Sequence, residues 1–120
     1  MGKKTLVLGA SANPDRTSFE AVLRLKAKGH EVVSIGNREG DIMGNPIQTG
    51  KPAVEGVDTV TLYLNPERQK EYYDYILGLQ PKRIIFNPGT ENFELARLAK
   101  EKGIETEMAC TLVMLAINLY

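Results

Sequence analysis

Gly9-Ala10-Ser11-Ala12-Asn13-Pro14-Asp15-Arg16-Thr17-Ser18 follows Lys4-Thr5-Leu6-Val7-Leu8, a short apolar run rich in branched residues that reads as a buried strand. After it, Phe19, Val22, Leu23 and Leu25 to Lys26 fall at helical spacing and stop at Gly29. The order is strand, glycine turn, helix. A loop in that place lies at the carboxyl end of a parallel strand and leads into a helix N-terminus. There the free backbone N–H groups and the helix dipole favour an anion, most often a phosphate. Gly9 removes a Cβ where the strand turns and where a phosphate needs close backbone approach. Thr17-Ser18-Phe19-Glu20 has the form of a capping box, which predicts Thr17 as N-cap and Glu20 as its reciprocal partner. Ser11, Asn13, Thr17 and Ser18 offer hydrogen bonds to phosphate oxygens, and Arg16 adds a charged, bidentate fork. The plainer reading makes Ser11 and Asn13 ordinary turn formers and Arg16 a solvated charge.

Working outward, strands and helices alternate. Glu31-Val32-Val33-Ser34-Ile35 is a second strand ending at Gly36-Asn37-Arg38. From Glu39 to Gly56 the texture changes, with Gly40, Gly44, Gly50 and Gly56, two prolines and few large apolar residues. This reads as a long loop carrying a short turn or strand: a binding flap, or simply a surface excursion. Val57 to Leu64 is the third strand. Asn65-Pro66-Glu67 then supplies an N-cap, a proline at the first helical position and an acid in the first turn. That helix runs to about Gly78, with Tyr72, Tyr73, Ile76 and Leu77 on or beside its buried stripe. Tyr72, Tyr73 and Tyr75 read as packing and rim residues rather than a stacking platform. Lys82 to Phe86 is the fourth strand, followed by the turn Asn87-Pro88-Gly89-Thr90. A helix from Glu91 to about Lys102 buries Phe93 or Leu95, Ala96, Leu98 and Ala99. Ile104 to Met108 is the fifth strand. The tail from Ala109 to Tyr120 is apolar nearly all round, as a last helix packed on the sheet or as half of a dimer contact.

The expected class is therefore α/β: a Rossmann-like three-layer sandwich whose five-stranded parallel sheet has the order 3-2-1-4-5. At 120 residues the chain is expected to form a single domain over residues 1–120. The carboxyl edge of that sheet would collect the Gly9 loop, Gly36-Asn37-Arg38, Leu64-Asn65-Pro66, the Asn87 turn and Ala109-Cys110-Thr111. Fifteen basic and fifteen acidic residues balance, which speaks against nucleic-acid binding by a basic surface. No stretch has the apolar length of a membrane span, and the N-terminus lacks a secretory apolar region, so a cytoplasmic address is the default. A single cysteine rules out an internal disulfide framework and a cysteine zinc cluster.

A dinucleotide of the NAD type is disfavoured. The G-x-G-x-x-G fingerprint falls on Gly9, Ser11 and Pro14, and the second strand ends in Gly36-Asn37-Arg38 where an acid should hold the ribose. An arginine there suits a nucleotide with an extra ribose phosphate, such as NADP with its 2′-phosphate or coenzyme A with its 3′-phosphate.

With these residues in view, Gly9-Ala10-Ser11-x-Asn13-Pro14-x-Arg16-x-Ser18 resembles the opening signature of the small bacterial CoA-binding proteins. Their single domain is similar to the CoA-binding domain of the succinyl-CoA synthetase α-subunit. The resemblance continues through the turn after the second strand, Ile42-x-Gly44-x-Pro46, Val57-Asp58-x-Val60, the Gly89 turn, Ala99-x-x-x-Gly103 and Cys110. It implies coenzyme A as ligand, with Gly9, Ser11, Arg16 and Ser18 along the pyrophosphate and the start of the pantetheine arm. Arg38, where the family commonly has lysine, would face the adenosine 3′-phosphate. The implied cofactor-binding set is Gly9, Ala10, Ser11, Asn13, Arg16, Thr17, Ser18, Asn37, Arg38, Asn65, Pro66, Gly89 and Cys110. Two departures stand out: Gly36-Asn37 where the family usually has Asn-Pro, and Phe86-Asn87-Pro88 where it commonly has an aromatic and a glutamine.

Catalysis is not indicated. The only histidine, His30, sits on the sheet edge opposite the expected site, and no nucleophile triad or metal cluster can be assembled. Glu105 and Glu107 alternate along a strand and read as solvent-facing. Cys110 is either a small buried cysteine or, on the resemblance, a thiol near the end of the CoA arm that forms a mixed disulfide under oxidising conditions. The expected function is non-catalytic binding of CoA or an acyl-CoA. The alternatives are an NADP-binding oxidoreductase or redox-sensing domain, and an interaction protein with a vestigial site that uses its apolar tail for a homodimer or an unidentified protein partner.

Overall fold

Thr5, Leu6, Val7 and Leu8 are all buried, so β1 (Thr5–Leu8) is covered on both faces, as the centre of a parallel sheet requires. Around it, in the computed structural model, which describes residues 2–120, the chain continues as α1 (Thr17–Ala27), β2 (Val32–Ile35), β3 (Gly40–Ile42) and β4 (Asn45–Gln48). Then follow β5 (Thr59–Leu62), α2 (Pro66–Gln69), α3 (Tyr73–Gly78), β6 (Arg83–Phe86), α4 (Phe93–Glu101), β7 (Glu105–Met108) and α5 (Thr111–Ala116). The sheet order is β3-β4-β2-β1-β5-β6-β7. Thr5 registers with Val32 on one side and Thr59 on the other.

The Rossmann-like class is as expected, and two details are corrected. The sheet has seven strands rather than five. The strand next to β2 is β4, from the stretch expected to be a long loop carrying a short turn or strand, and not Val57 to Leu64. Counting only parallel strands, the order is 3-2-1-4-5-6, with β5 as the fourth; β3 is antiparallel to β4 at the edge. The β3–β4 hairpin turns through Met43 (φ 47°) and Gly44 (φ 91°), and Asp41 Oδ2 accepts the Gly44 N–H at 2.8 Å. Two successive positive φ angles match the twist of the flanking strands. Asn45 fastens the hairpin to β2: it donates to Val32 O at 2.9 Å and accepts from Ser34 Oγ at 2.7 Å.

Two apolar clusters divide the layers. Val7, Val22, Leu25, Ile42, Ile47 and Leu115 pack on one face, under α1 and α5. Leu6, Leu8, Leu62, Ile76, Phe86 and Leu95 pack on the other, under α3 and α4. Each such fully buried side chain contributes roughly 1.5–3 kcal/mol. The helix expected from Pro66 to Gly78 is broken into α2, a 3₁₀ turn (Lys70–Tyr72) and α3. In α4 the alternative of Leu95 over Phe93 is settled, since Leu95 is buried and Phe93 is 79% exposed. Asn92 caps that helix by accepting the Leu95 N–H. The apolar tail forms α5 against α1, leaving Val113, Ile117 and Leu119 exposed. Glu107 is not simply solvent-facing: it pairs with the buried Arg83 guanidinium at 3.2 Å. No helix among the described residues is long and apolar enough to cross a membrane.

Candidate functional site

Chain order reverses between β1 and β5, because β1 connects to β2 on one side and β5 feeds β6 on the other. A crevice opens there at the carboxyl ends of the strands. Its floor is tight. The N–H groups of Gly9 and Ala10 both donate to Ile35 O (2.8 and 2.9 Å), and Tyr63 N–H donates to Leu8 O at 2.8 Å. Gly9 has φ 101°, and a Cβ on it would lie 2.8 Å from the Tyr63 carbonyl carbon. A Cβ on Gly36 would lie 2.3 Å from Ala10 O. Only glycine lets these strand ends converge.

Above that floor the loop is folded by its own side chains. Ser11 Oγ accepts from Asn13 N–H at 3.1 Å, Asn13 Oδ1 accepts from Asp15 N–H at 3.0 Å, and Asn13 O accepts from Arg16 N–H at 3.0 Å. Ser11 and Asn13 therefore act as turn formers. The capping box is not made. Arg16, not Thr17, occupies the N-cap position of α1 with no side-chain cap, while Glu20 bonds Arg24 at 3.0 Å. As a result the N–H groups of Ser11, Ala12, Thr17 and Ser18 find no partner among the described residues. These free donors belong to residues that line two adjoining lobes, the electrostatic environment an anion needs.

Gly9, Ser11, Arg16, Thr17, Ser18 and Asn37 line a cleft of about 200 Å³. Ala10 and Asn13 join an adjoining lobe of about 310 Å³, which Arg38 and Glu39 border. Nine of the thirteen sequence-derived site residues are thus brought together. Asn65 and Pro66 lie beside the cleft without lining it; the Asn65 side chain caps α2 by accepting the Arg68 N–H at 2.9 Å. Gly89 and Cys110 lie further along the edge. Gly89 N–H donates to Glu91 Oε1, and Cys110 is half-buried at the start of α5. Asn87 ties that part together, donating to Thr61 Oγ1 and Leu62 O (2.7 and 2.8 Å) and accepting the Thr111 N–H at 2.9 Å.

Sequence reasoning missed Tyr63 and Arg68, which also line the cleft. The signal for Arg68 was present: Asn65-Pro66 announces a helix whose first turn stands at the carboxyl edge. Arg16, Arg38 and Arg68 form no ion pair among the described residues, although Lys70 in the next turn pairs with Glu67 at 2.9 Å. Burial first, and then the neighbouring Cys110, push the Tyr63 phenol well above the usual tyrosine range, so it remains protonated. A larger concavity of about 720 Å³ lies at the opposite edge, between the ends of α3 and α4, far from the loop.

A family model described as a CoA binding domain matches residues 3–116. The crystal structure of an uncharacterized protein is 50% identical, with a TM-score of 0.97 over 100% of this chain and 99% of that one. A hypothetical protein from Pyrococcus horikoshii OT3 is 22% identical, with a TM-score of 0.86 over 98% of this chain and 84% of that one. A Thermus thermophilus protein is also 22% identical, with a TM-score of 0.85 over 99% and 91% of the two chains. At that identity the last two show the fold alone. Comparison with curated proteins gave no match.

Proposed function

The chain belongs to the CoA-binding domain family, and on that premise we propose that it binds coenzyme A, or an acyl-CoA, at the carboxyl edge of the sheet without itself carrying out catalysis. One observation carries the reading: three arginines without an ion pair among the described residues and four unpartnered N–H groups belong to residues that line two adjoining lobes at the point where the strand order reverses. The pyrophosphate lies against the Gly9 loop and the first turn of α1. Arg38, at the outer lobe after β2, faces the adenosine 3′-phosphate. The pantetheine arm then runs along the edge toward the Asn87 turn and Cys110. Arg16, Arg38 and Arg68, with the free N–H groups, supply charged and neutral donors whose chemistry is to hold anions.

The test is titration calorimetry of CoA, dephospho-CoA and NADPH against wild type and Arg38→Ala. CoA binds best, and removing either its 3′-phosphate or the Arg38 guanidinium weakens it by about tenfold, the two losses not adding. If NADPH binds more tightly than CoA, the ligand is an NADP-type nucleotide on the same fold. If none binds, the Gly9 loop is only a turn, and the exposed face of Val113 and Ile117 becomes the surface on which to seek a second copy or a protein partner.

A further inference from the structure

Arg68 occupies the wall of the cleft that faces α1, and the chain holds it there from both sides. Its N–H is bound by the Asn65 cap at 2.9 Å, and Pro66 fixes the first helical position of α2. The next residue, Gln69, is fully buried. Its Nε2 donates to Leu64 O and Thr90 O, both at 2.8 Å, and its Oε1 accepts from Asn92 at 2.9 Å. Successive residues on a helix point about 100° apart, so anchoring Gln69 in the core turns Arg68 outward, to the cleft. Glu71, three residues on, stands at the spacing of a helical ion pair. Glu67 and Lys70, at the same spacing in the same segment, do pair. Arg68 pairs with nothing among the described residues. Arg68 lines the cleft with Gly9 and Ser18, and also a smaller inner pocket of about 60 Å³ with Gly36, Asn37, Tyr72 and Glu71, whose carboxylate makes no ion pair with it.

A single phosphate at the start of α1 is already provided for, by the free N–H groups of Thr17 and Ser18 and by Arg16 on the same wall. A second guanidinium, delivered by a separate element and forming no ion pair among the described residues, matches a second anionic group. We infer that Arg68 is a specificity-determining binding residue: with Arg16 it clamps the two phosphoryl groups of a diphosphate between α1 and α2, so the cleft selects diphosphate-bearing nucleotides over monophosphates. This rests on the reading of the cleft as a CoA site and assigns a further group to it. Each arginine presents a planar fork able to engage phosphate oxygens in pairs, which a lysine cannot reproduce.

The test is calorimetry of CoA, dephospho-CoA, ADP and AMP against wild type, Arg68→Ala and Arg68→Lys, with unfolding midpoints of the variants matched to wild type. Arg68→Ala weakens CoA and dephospho-CoA equally, by about tenfold or more, and erases the preference for ADP over AMP; Arg68→Lys restores part of both. A change of less than about twofold in CoA affinity for Arg68→Ala, with wild type binding CoA, overturns the clamp and leaves the CoA reading standing. A loss seen with CoA but not with dephospho-CoA also overturns it, because Arg68 would then serve the 3′-phosphate. If wild type ignores CoA yet prefers ADP to AMP in an Arg68-dependent way, the clamp stands and the CoA reading falls. If none of the four ligands binds, both fall.

Discussion

Tyr63 closes the floor of the cleft with a hydroxyl that is buried and makes no hydrogen bond among the described residues. The hydroxyls beside it, Thr61 and Thr111, are bonded to each other at 2.8 Å. A buried polar group without a partner is destabilising by about 1–3 kcal/mol. Tyr63→Phe removes that group and keeps the ring, so stability should be unchanged or higher by up to about 1 kcal/mol, read as the urea midpoint at constant slope. A fall of about 1 kcal/mol or more would place a partner on the hydroxyl and refute the reading. At this scale the sequence was informative where chemistry is local. The sequence places Gly9 at the turn and offers Ser11 and Asn13 as phosphate partners or as turn formers, and the fold uses them as turn formers. Tyr63 gave no signal, because its burial and its neighbours come from β5 and α5, which meet only in the fold.

At the scale of elements, α1 is the informative one. Its sequence offers a capping box, yet the loop hydrogen bond from Arg16 N–H to Asn13 O places Arg16 at the N-cap and leaves the helix start open. An acidic residue there would close it. Arg16→Asp should raise stability by about 1 kcal/mol by accepting the free N–H of Ser18. The same change should abolish binding of CoA, since it removes a cation and occupies a donor of the nest. Thermal denaturation and calorimetry on one preparation check both; a variant that is stabilised and still binds CoA would refute the assignment of the α1 N-terminus. The β3–β4 hairpin was less legible. Met43 in the left-handed region is an uncommon turn residue, and Pro46 argues against a strand until one sees it on β4, paired only with the short edge strand β3.

For the whole molecule, the edge of the sheet opposite the cleft is held by His30. Its Nδ1 accepts the Lys3 N–H at 2.9 Å, and its ring stands edge-on to Tyr120 at 4.8 Å. Burial first, then the positive charges of Lys3 and Arg83, lower its pKa below the usual histidine value. The unfolded chain therefore takes up the proton first as pH falls. The contribution of neutral His30 is full above about pH 6.5 and is lost progressively below it, so stability declines on acidification. His30→Asn should flatten that part of the profile in urea titrations between about pH 7.5 and 5.5, while leaving CoA affinity at neutral pH unchanged. A profile as steep as wild type would refute the role of His30.

What the sequence determined by itself is whatever local pattern encodes: the alternation of buried strands with helices, the glycine loop after β1, the cap at Asn65-Pro66, and hence a parallel Rossmann-like sheet with that loop at its carboxyl edge. These follow from periodicity, backbone freedom and hydrogen bonding between near neighbours. Tertiary structure decided the rest. It chose which strand pairs with β2, because that depends on the apolar burial of Ile42 and Ile47 under α1 and not on their own propensity. It separated nine cleft residues from Asn65, Pro66, Gly89 and Cys110, because distance along the sheet edge is set by strand order. And it turned Arg68 toward the cleft, through the burial of Gln69, a side chain whose partners lie at Leu64, Thr90 and Asn92 and are brought to it only by packing α2 against α4 and the β6 turn.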